Sequence, residues 1–134
     1  MRKFIFAAAV LAAGSLLAAE VSVAHHSFAM FDHDKTITVS GTVRKWEWTN
    51  PHTWLTLDVP GPQGEIVEWK IEGLSPNILS RQGWSSNSIH TGDRVTVEVN
   101  PLRGGGPGGA LVKVTLPDGK VLGRGGVSQY GVSP

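Results

Sequence analysis

Between Arg94 and Asn100 the chain reads Arg-Val-Thr-Val-Glu-Val-Asn. Strict alternation of valine with polar residues is the signature of a β-strand with one face buried. The same period of two recurs along the chain. Ile37, Val39, Gly41 and Val43 alternate within Thr36 to Trp48. Leu55, Leu57 and Val59 alternate within Thr53 to Val59, and Val67, Trp69 and Ile71 within Glu65 to Glu72. Val112, Val114 and Leu116 alternate within Ala110 to Leu116. Breakers separate these runs: Asn50-Pro51, the Pro60–Gly64 turn, Thr91-Gly92-Asp93 and Pro117-Asp118-Gly119.

The first run changes phase. After Val43 the large apolar residues are Trp46 and Trp48, a slip of one position. One extra residue in a strand flips every later side chain, so the slip predicts a β-bulge near Arg44 and Lys45. Val39 and Val43 should then point inward, with Gly41 easing the bend. Val97 and Val114 should be buried in the fourth and fifth strands. Ser75 to Gly83 reads as one short helix, with Ser75 as N-cap, Pro76 at the first helical position and Gly83 as the stop.

Three strands, a helix and two strands, with a long bent first strand, predict an all-β fold with one short helix: a five-stranded OB-like Greek-key barrel. An open β-sandwich is the alternative. The strand directions in that barrel suggest His33 and His90 near one end, and His52 near the other beside the Gly-rich loop. Lys120 to Leu122 is expected to pair briefly.

The N-terminus reads as an export signal. Arg2 and Lys3 precede an apolar run from Phe4 to Ala19, and Ser22-Val23-Ala24 has the small-x-small form of a cleavage site. The run is short for a membrane span, which needs about 20 apolar residues. A cut after Ala19 is the competing site. The expected organisation is a signal peptide at 1–24, a His-rich arm at 25–35, the barrel at 36–122 and a flexible Gly-rich tail at 123–134. The expected location is periplasmic or secreted, with no stable membrane insertion after cleavage.

Cutting after Ala24 removes two basic side chains and one acidic from totals of 12 and 11, which leaves equal numbers. A near-neutral chain argues against nucleic acid as partner, because that footprint needs a basic patch or stripe. The chain has no cysteine, so thiolate metal sites and thiol chemistry are excluded.

The loop Arg103 to Gly109 contains a formal G-x-G-x-x-G. A dinucleotide fingerprint must open a helix, and here a strand follows, so a hairpin loop is the reading. Its place between the fourth and fifth strands is the usual ligand edge of an OB barrel, where Arg103 could meet an anion. No G-x-S-x-G is present, since Gly126-Val127-Ser128-Gln129-Tyr130 fails at its last position. No acid–base pair can be singled out among outward carboxylates such as Asp58, Glu68 and Glu72. A non-enzymatic binding protein is the better expectation.

Two constellations carry binding chemistry. Trp48, His52 and Trp54 lie close together in sequence and, with Arg103, are candidates for a ligand face. The competing reading is that these indoles fill and cap a small barrel. The second constellation is His25, His26, Met30 and His33. If cleavage follows Ala24, the free amine and Nδ1 of His25 close a chelate ring on a metal. His26 and His33 add imidazoles, and Met30 adds a thioether. Nitrogen donors favour Cu(II) and thioether favours Cu(I), which makes copper the candidate cofactor. The competing reading is an exposed arm whose histidines bind nothing. The expected partners are a metal ion or small ligand, or a periplasmic protein that this chain serves as an accessory subunit of a redox or transport system.

Taken together, the stretches AHHSFAMFD, SGTVRKWEWTNPHTWL, WKIEGLSPNILSRQGW, TGDRVTVEVNPLRGGGPGGAL and TLPDGKVL resemble a group of small exported bacterial proteins, domain-of-unknown-function family 6152. The resemblance runs from His25 to about Leu122. It implies export from a Gram-negative-type cell and a single small β domain. It assigns no activity and no site residue.

Overall fold

The phase slip in the first strand is a β-bulge. In the computed structural model, which describes residues 29–123 and 126–128, β1 (Ile37–Glu47) pairs antiparallel with β2 (Trp54–Pro60) and with β4 (Arg94–Pro101). The β1–β2 register shifts between Val43 and Lys45, so Arg44 is the extra residue. Val39 and Val43 are buried before it, and Trp46 packs on the core after it. Gly41 contributes through close approach. A Cβ there would lie 2.6 Å from the Asp58 carbonyl oxygen of the crossing strand.

β2 returns as β3 (Ile66–Glu72), which pairs in parallel with the start of β5 (Gly108–Thr115). β5 also pairs antiparallel with β4. These contacts close β1, β2, β3, β5 and β4 into a five-stranded barrel. The fold is all-β with one short helix, an OB-like Greek-key barrel. The helix, α1 (Pro76–Arg81), lies between β3 and β4 with Ser75 as N-cap, its side chain accepting from Ile78 N–H. Gly83 has φ +87°, a left-handed conformation that glycine adopts without a Cβ clash.

One core fills the barrel. Leu55, Leu57, Ile71, Val95, Val97, Val99, Leu111 and Val114 are buried inside it, and Leu79 of α1 and Trp84 join the same cluster.

Three expectations are corrected. The alternation expected through Val112 breaks, because Val99 pairs with Leu111 while Glu98 pairs with Lys113. Val112 is therefore the extra residue of a second bulge. Leu111 takes the buried place and Val112 is half-buried. The tail expected to be flexible from residue 123 is in part sheet. β6 (Val121–Gly123) pairs with β5, and β7 (Gly126–Ser128) pairs with β6.

The third correction concerns the ends of the barrel. β1 and β4 are antiparallel, with Ile37 opposite Val99 and Thr42 opposite Arg94. β1 therefore begins where β4 ends. His33, just before β1, lies beside Asn100, whereas His90 precedes the start of β4 and lies at the other end of that pair.

The chain divides into two compact units, Met1–Met30 and Phe31–Pro134. In the first, only Ala29 and Met30 are described, and Met30 is 54% exposed. The arm expected at 25–35 is thus split. Phe31 is buried and bridges to Leu102, Asp32 N–H donates to the Pro101 carbonyl (2.8 Å), and Lys35 O accepts from Asn100 Nδ2 (2.7 Å). Phe31 to Lys35 belong to the barrel unit.

Candidate metal and ligand-binding site

The rim where β3 and β4 end and β5 begins carries four of the site candidates: His33, His52, Trp54 and Arg103. Alternation sends Leu55 and Ile71 inward and their neighbours Trp54 and Glu72 outward, and Trp54 sits directly opposite Glu72. The Glu72 carboxylate is tucked against the barrel, only 12% exposed, and accepts from His52 Nδ1. His52 is 33% exposed. Its loop is stapled in place by the next residue. Buried Thr53 donates Oγ1–H to the Leu74 carbonyl (2.8 Å), and Gly73 N–H donates back to the Thr53 carbonyl (2.8 Å). The loop also contains a cis peptide bond at Asn50-Pro51. Lys70 stands over the Trp54 ring, its ammonium 4.9 Å from the centroid, in cation–π geometry.

His33 is exposed at the same rim. Its Nδ1 lies 3.3 Å from Asn100 Oδ1, and its ring meets Phe31 edge-on at 6.3 Å. Asn100 is 5% exposed, and its amide nitrogen is committed to Lys35 O. The oxygen is therefore the atom presented to His33. Arg103 is exposed in the Gly-rich loop and its charge acts on Asp32. Partial burial pushes the Asp32 carboxyl up. The hydrogen bonds from Lys35 and from Asp34 N–H, with the charges of Lys35 and Arg103, outweigh this and hold it below the usual aspartate value.

The tryptophans divide between two faces. Trp46 and Trp48 pack on the core with ring centroids 5.8 Å apart, and Trp46 lies 6.0 Å from buried Trp84. They cap the barrel, as the competing reading held. Trp54 alone of this group faces outward beside His52, so Trp48 does not share a face with it.

His90 lies apart, with Nδ1 3.7 Å from Asp93, in an open pocket of about 460 Å³ lined also by Ser85, Asn87, Ser88 and Asp118. The polar groups there close their own turns. Ser85 Oγ accepts from Asn87 N–H, Asp93 from His90 N–H and Asp118 from Lys120 N–H.

His25 and His26 lie outside the described residues. Among the described residues, no group of three His, Asp or Glu is placed to hold a metal ion, and no helix is long and apolar enough to cross a membrane. Glu72 and Asn100, the partners of His52 and His33, are not distinguished from other polar residues by sequence alone. In the sequence Glu72 is one outward carboxylate among several. Its position across from Trp54, which depends on strand register, is what distinguishes it.

The fold defines an OB-like barrel whose outer rim carries two histidines, each tied through Nδ1 to an acceptor. The chain belongs to the family of unknown function DUF6152, whose model matches residues 13–111. Two crystal forms of the mitochondrial single-stranded DNA binding protein Rim1 of S. cerevisiae are structurally similar. Form 2 matches at a TM-score of 0.47 and 10% identity, over 62% of this chain and 93% of that one. Form 1 matches at 0.45 and 14% identity, over 62% and 92%. No curated protein matches the sequence.

Proposed function

We propose that this chain is an exported, non-enzymatic binding protein for copper or another late transition metal, held by His25, His26, Met30 and His33. Cleavage after Ala24 leaves His25 as the terminal residue in the periplasm or outside the cell, where its amine and imidazole chelate together. The observation that supports this reading is the Asn100–His33 contact. An amide oxygen that accepts from Nδ1–H leaves the neutral ring with its lone pair on Nε2, the atom a metal takes. Nitrogen donors suit Cu(II), and the exposed Met30 thioether suits Cu(I).

Protein beginning at His25 should bind Cu(II), and one added N-terminal residue should weaken binding at least about tenfold, roughly 1.4 kcal/mol. Equal binding by the native and extended chains, followed by competition titration, would refute a terminal-amine site. A second reading is a small-molecule or peptide binder on the outer face of β2 and β3. It is favoured by Trp54, an outward indole on the strands that OB barrels use for ligands. Binding that survives removal of residues 25–30 would point to it.

A further inference from the structure

One edge of β3 is only half paired. Two hydrogen bonds show which way its backbone groups point. Gly61 N–H donates to the Glu65 carbonyl (2.7 Å) on the β2 side, and Lys70 N–H donates to the Pro107 carbonyl (3.2 Å) on the β5 side. Pairing groups alternate along an antiparallel strand. Val67, Trp69 and Ile71 therefore bond to β2, while Ile66, Glu68, Lys70 and Glu72 direct N–H and C=O away from it. β5 takes Lys70 to Glu72 and stops there. Among the described residues, no strand or loop pairs with Ile66 or Glu68 on that side. Their N–H and C=O groups are left open in line with β5, where one more strand would lie.

The loop leading to Pro107 carries no side chain at Gly104, Gly105 or Gly106, and a Cβ on any of them would meet only open space. Sheet edges are normally guarded by a proline, a bulge or a charge. Residues 66–69 contain no proline, and their register with β2 runs without a shift. Their one charge, Glu68, is drawn the other way, towards Asp58 of β2, because Arg44 binds both carboxylates. Ile66 is 59% exposed.

The two faces of this edge set the chemistry of an incoming strand. On the inner face Val67 is half-buried and Trp69 packs on the core, so a side chain entering opposite Val67 meets apolar surface. On the outer face one guanidinium, Arg44, serves two carboxylates, Asp58 and Glu68, which leaves an excess of negative charge. A complementary strand carries an apolar residue inward and basic residues outward on either side of it.

We propose that residues 66–69 bind an extended peptide of alternating basic and apolar residues, which adds to β3 as a strand in line with β5. A second copy of this chain is the weaker occupant. It brings the same negative charge to both sides, and pairing over so few residues falls short of the roughly 1,200–2,000 Å² that a stable interface between two proteins buries. Strand addition of a peptide draws its affinity from main-chain hydrogen bonds instead. The proposal is independent of the metal reading. It rests on the second reading above, that β2 and β3 carry a ligand, and names the ligand and the edge.

The probe is the peptide acetyl-Thr-Lys-Val-Lys-Val-Thr-amide. On saturation it should slow amide hydrogen exchange at Ile66 and Glu68 at least about tenfold in the unaltered protein, since both amides gain an acceptor. N-methylation of its two lysines should abolish this protection. Ile66→Pro removes an open donor at the first residue of the strand, where proline is tolerated, and should weaken binding at least about fivefold, the size of one net hydrogen bond. Glu68→Gln should weaken this peptide but not its counterpart with Thr for Lys. If the peptide shifts the Trp54 indole N–H and leaves both amides exchanging as before, the edge proposal is overturned and the outer-face reading stands. No change at either place overturns both for peptides. Equal binding of the N-methylated peptide overturns the strand addition. Protection that rises with protein concentration alone, with a dimer in sedimentation, makes the occupant a second copy and overturns the peptide.

Discussion

Val97 and Val114 form the centre of a buried cross-strand row. Val97 is opposite Val39 on one side and Val114 on the other, and Val114 is opposite Leu122. All four are buried, and Val97, Val114 and Leu122 are wholly inaccessible. Val114→Ala removes two methyl groups from a place that solvent cannot refill. The transfer term alone is about 1.6 kcal/mol, at roughly 0.8 kcal/mol for each buried carbon. The void adds to this, because neighbours on two strands relax only in part, which brings the cost to about 1–3 kcal/mol. In a domain of this size each kcal/mol lowers the midpoint temperature by roughly 4–8 °C. Urea unfolding is the assay, with an unchanged m value required so that the shift reports stability rather than a change in the unfolded state. Val97→Ala should cost a similar amount. The double variant should depart from additivity by about 0.5 kcal/mol or more, because the two side chains touch across the ladder. A loss below a few tenths of a kcal/mol for either single variant would show that the facing of β4 or β5 is wrong.

Two further outcomes follow from the packing and the charges. At Gly73 a Cβ would overlap Thr53 Oγ1, which is buried and bonded to Leu74, whereas at Gly104 it would enter open space. Gly73→Ala should therefore cost about 1–3 kcal/mol by overpacking and Gly104→Ala close to nothing; equal midpoints in urea would contradict the loop staple. Asp32 titrates below the usual aspartate value in the folded chain. Its contribution to stability is therefore present above the ordinary aspartate range and lost as pH falls through the lowered folded value. Lys35→Met should move the Asp32 carboxyl titration upward and flatten this part of the acid limb; an unmoved carboxyl ¹³C titration would show that Lys35 does not set it.

The sequence alone specified the five barrel strands and the helix. The valines of β4 and the leucines of β2 keep a period of two, which only a half-buried strand satisfies, and Ser75, Pro76 and Gly83 mark a helix by backbone chemistry local to each residue. The bulge at Arg44 was legible for the same reason, because its apolar residues visibly change phase. The bulge at Val112 was not. Ala110, Leu111, Val112, Val114 and Leu116 fit either phase, and the choice is made by pairing with β4. The barrel rim was likewise invisible. Glu72, Ala110 and Asn100 are far apart in sequence and become a row only through the parallel β3–β5 contact and the antiparallel β4–β5 register. His33 came to this rim, away from His90, because β1 starts where β4 ends. Local pattern determines which residues form a strand and, where only one phase fits, which way they face. Hydrogen bonding between distant strands decides which outward residues become neighbours, and the candidate site is built from those neighbours.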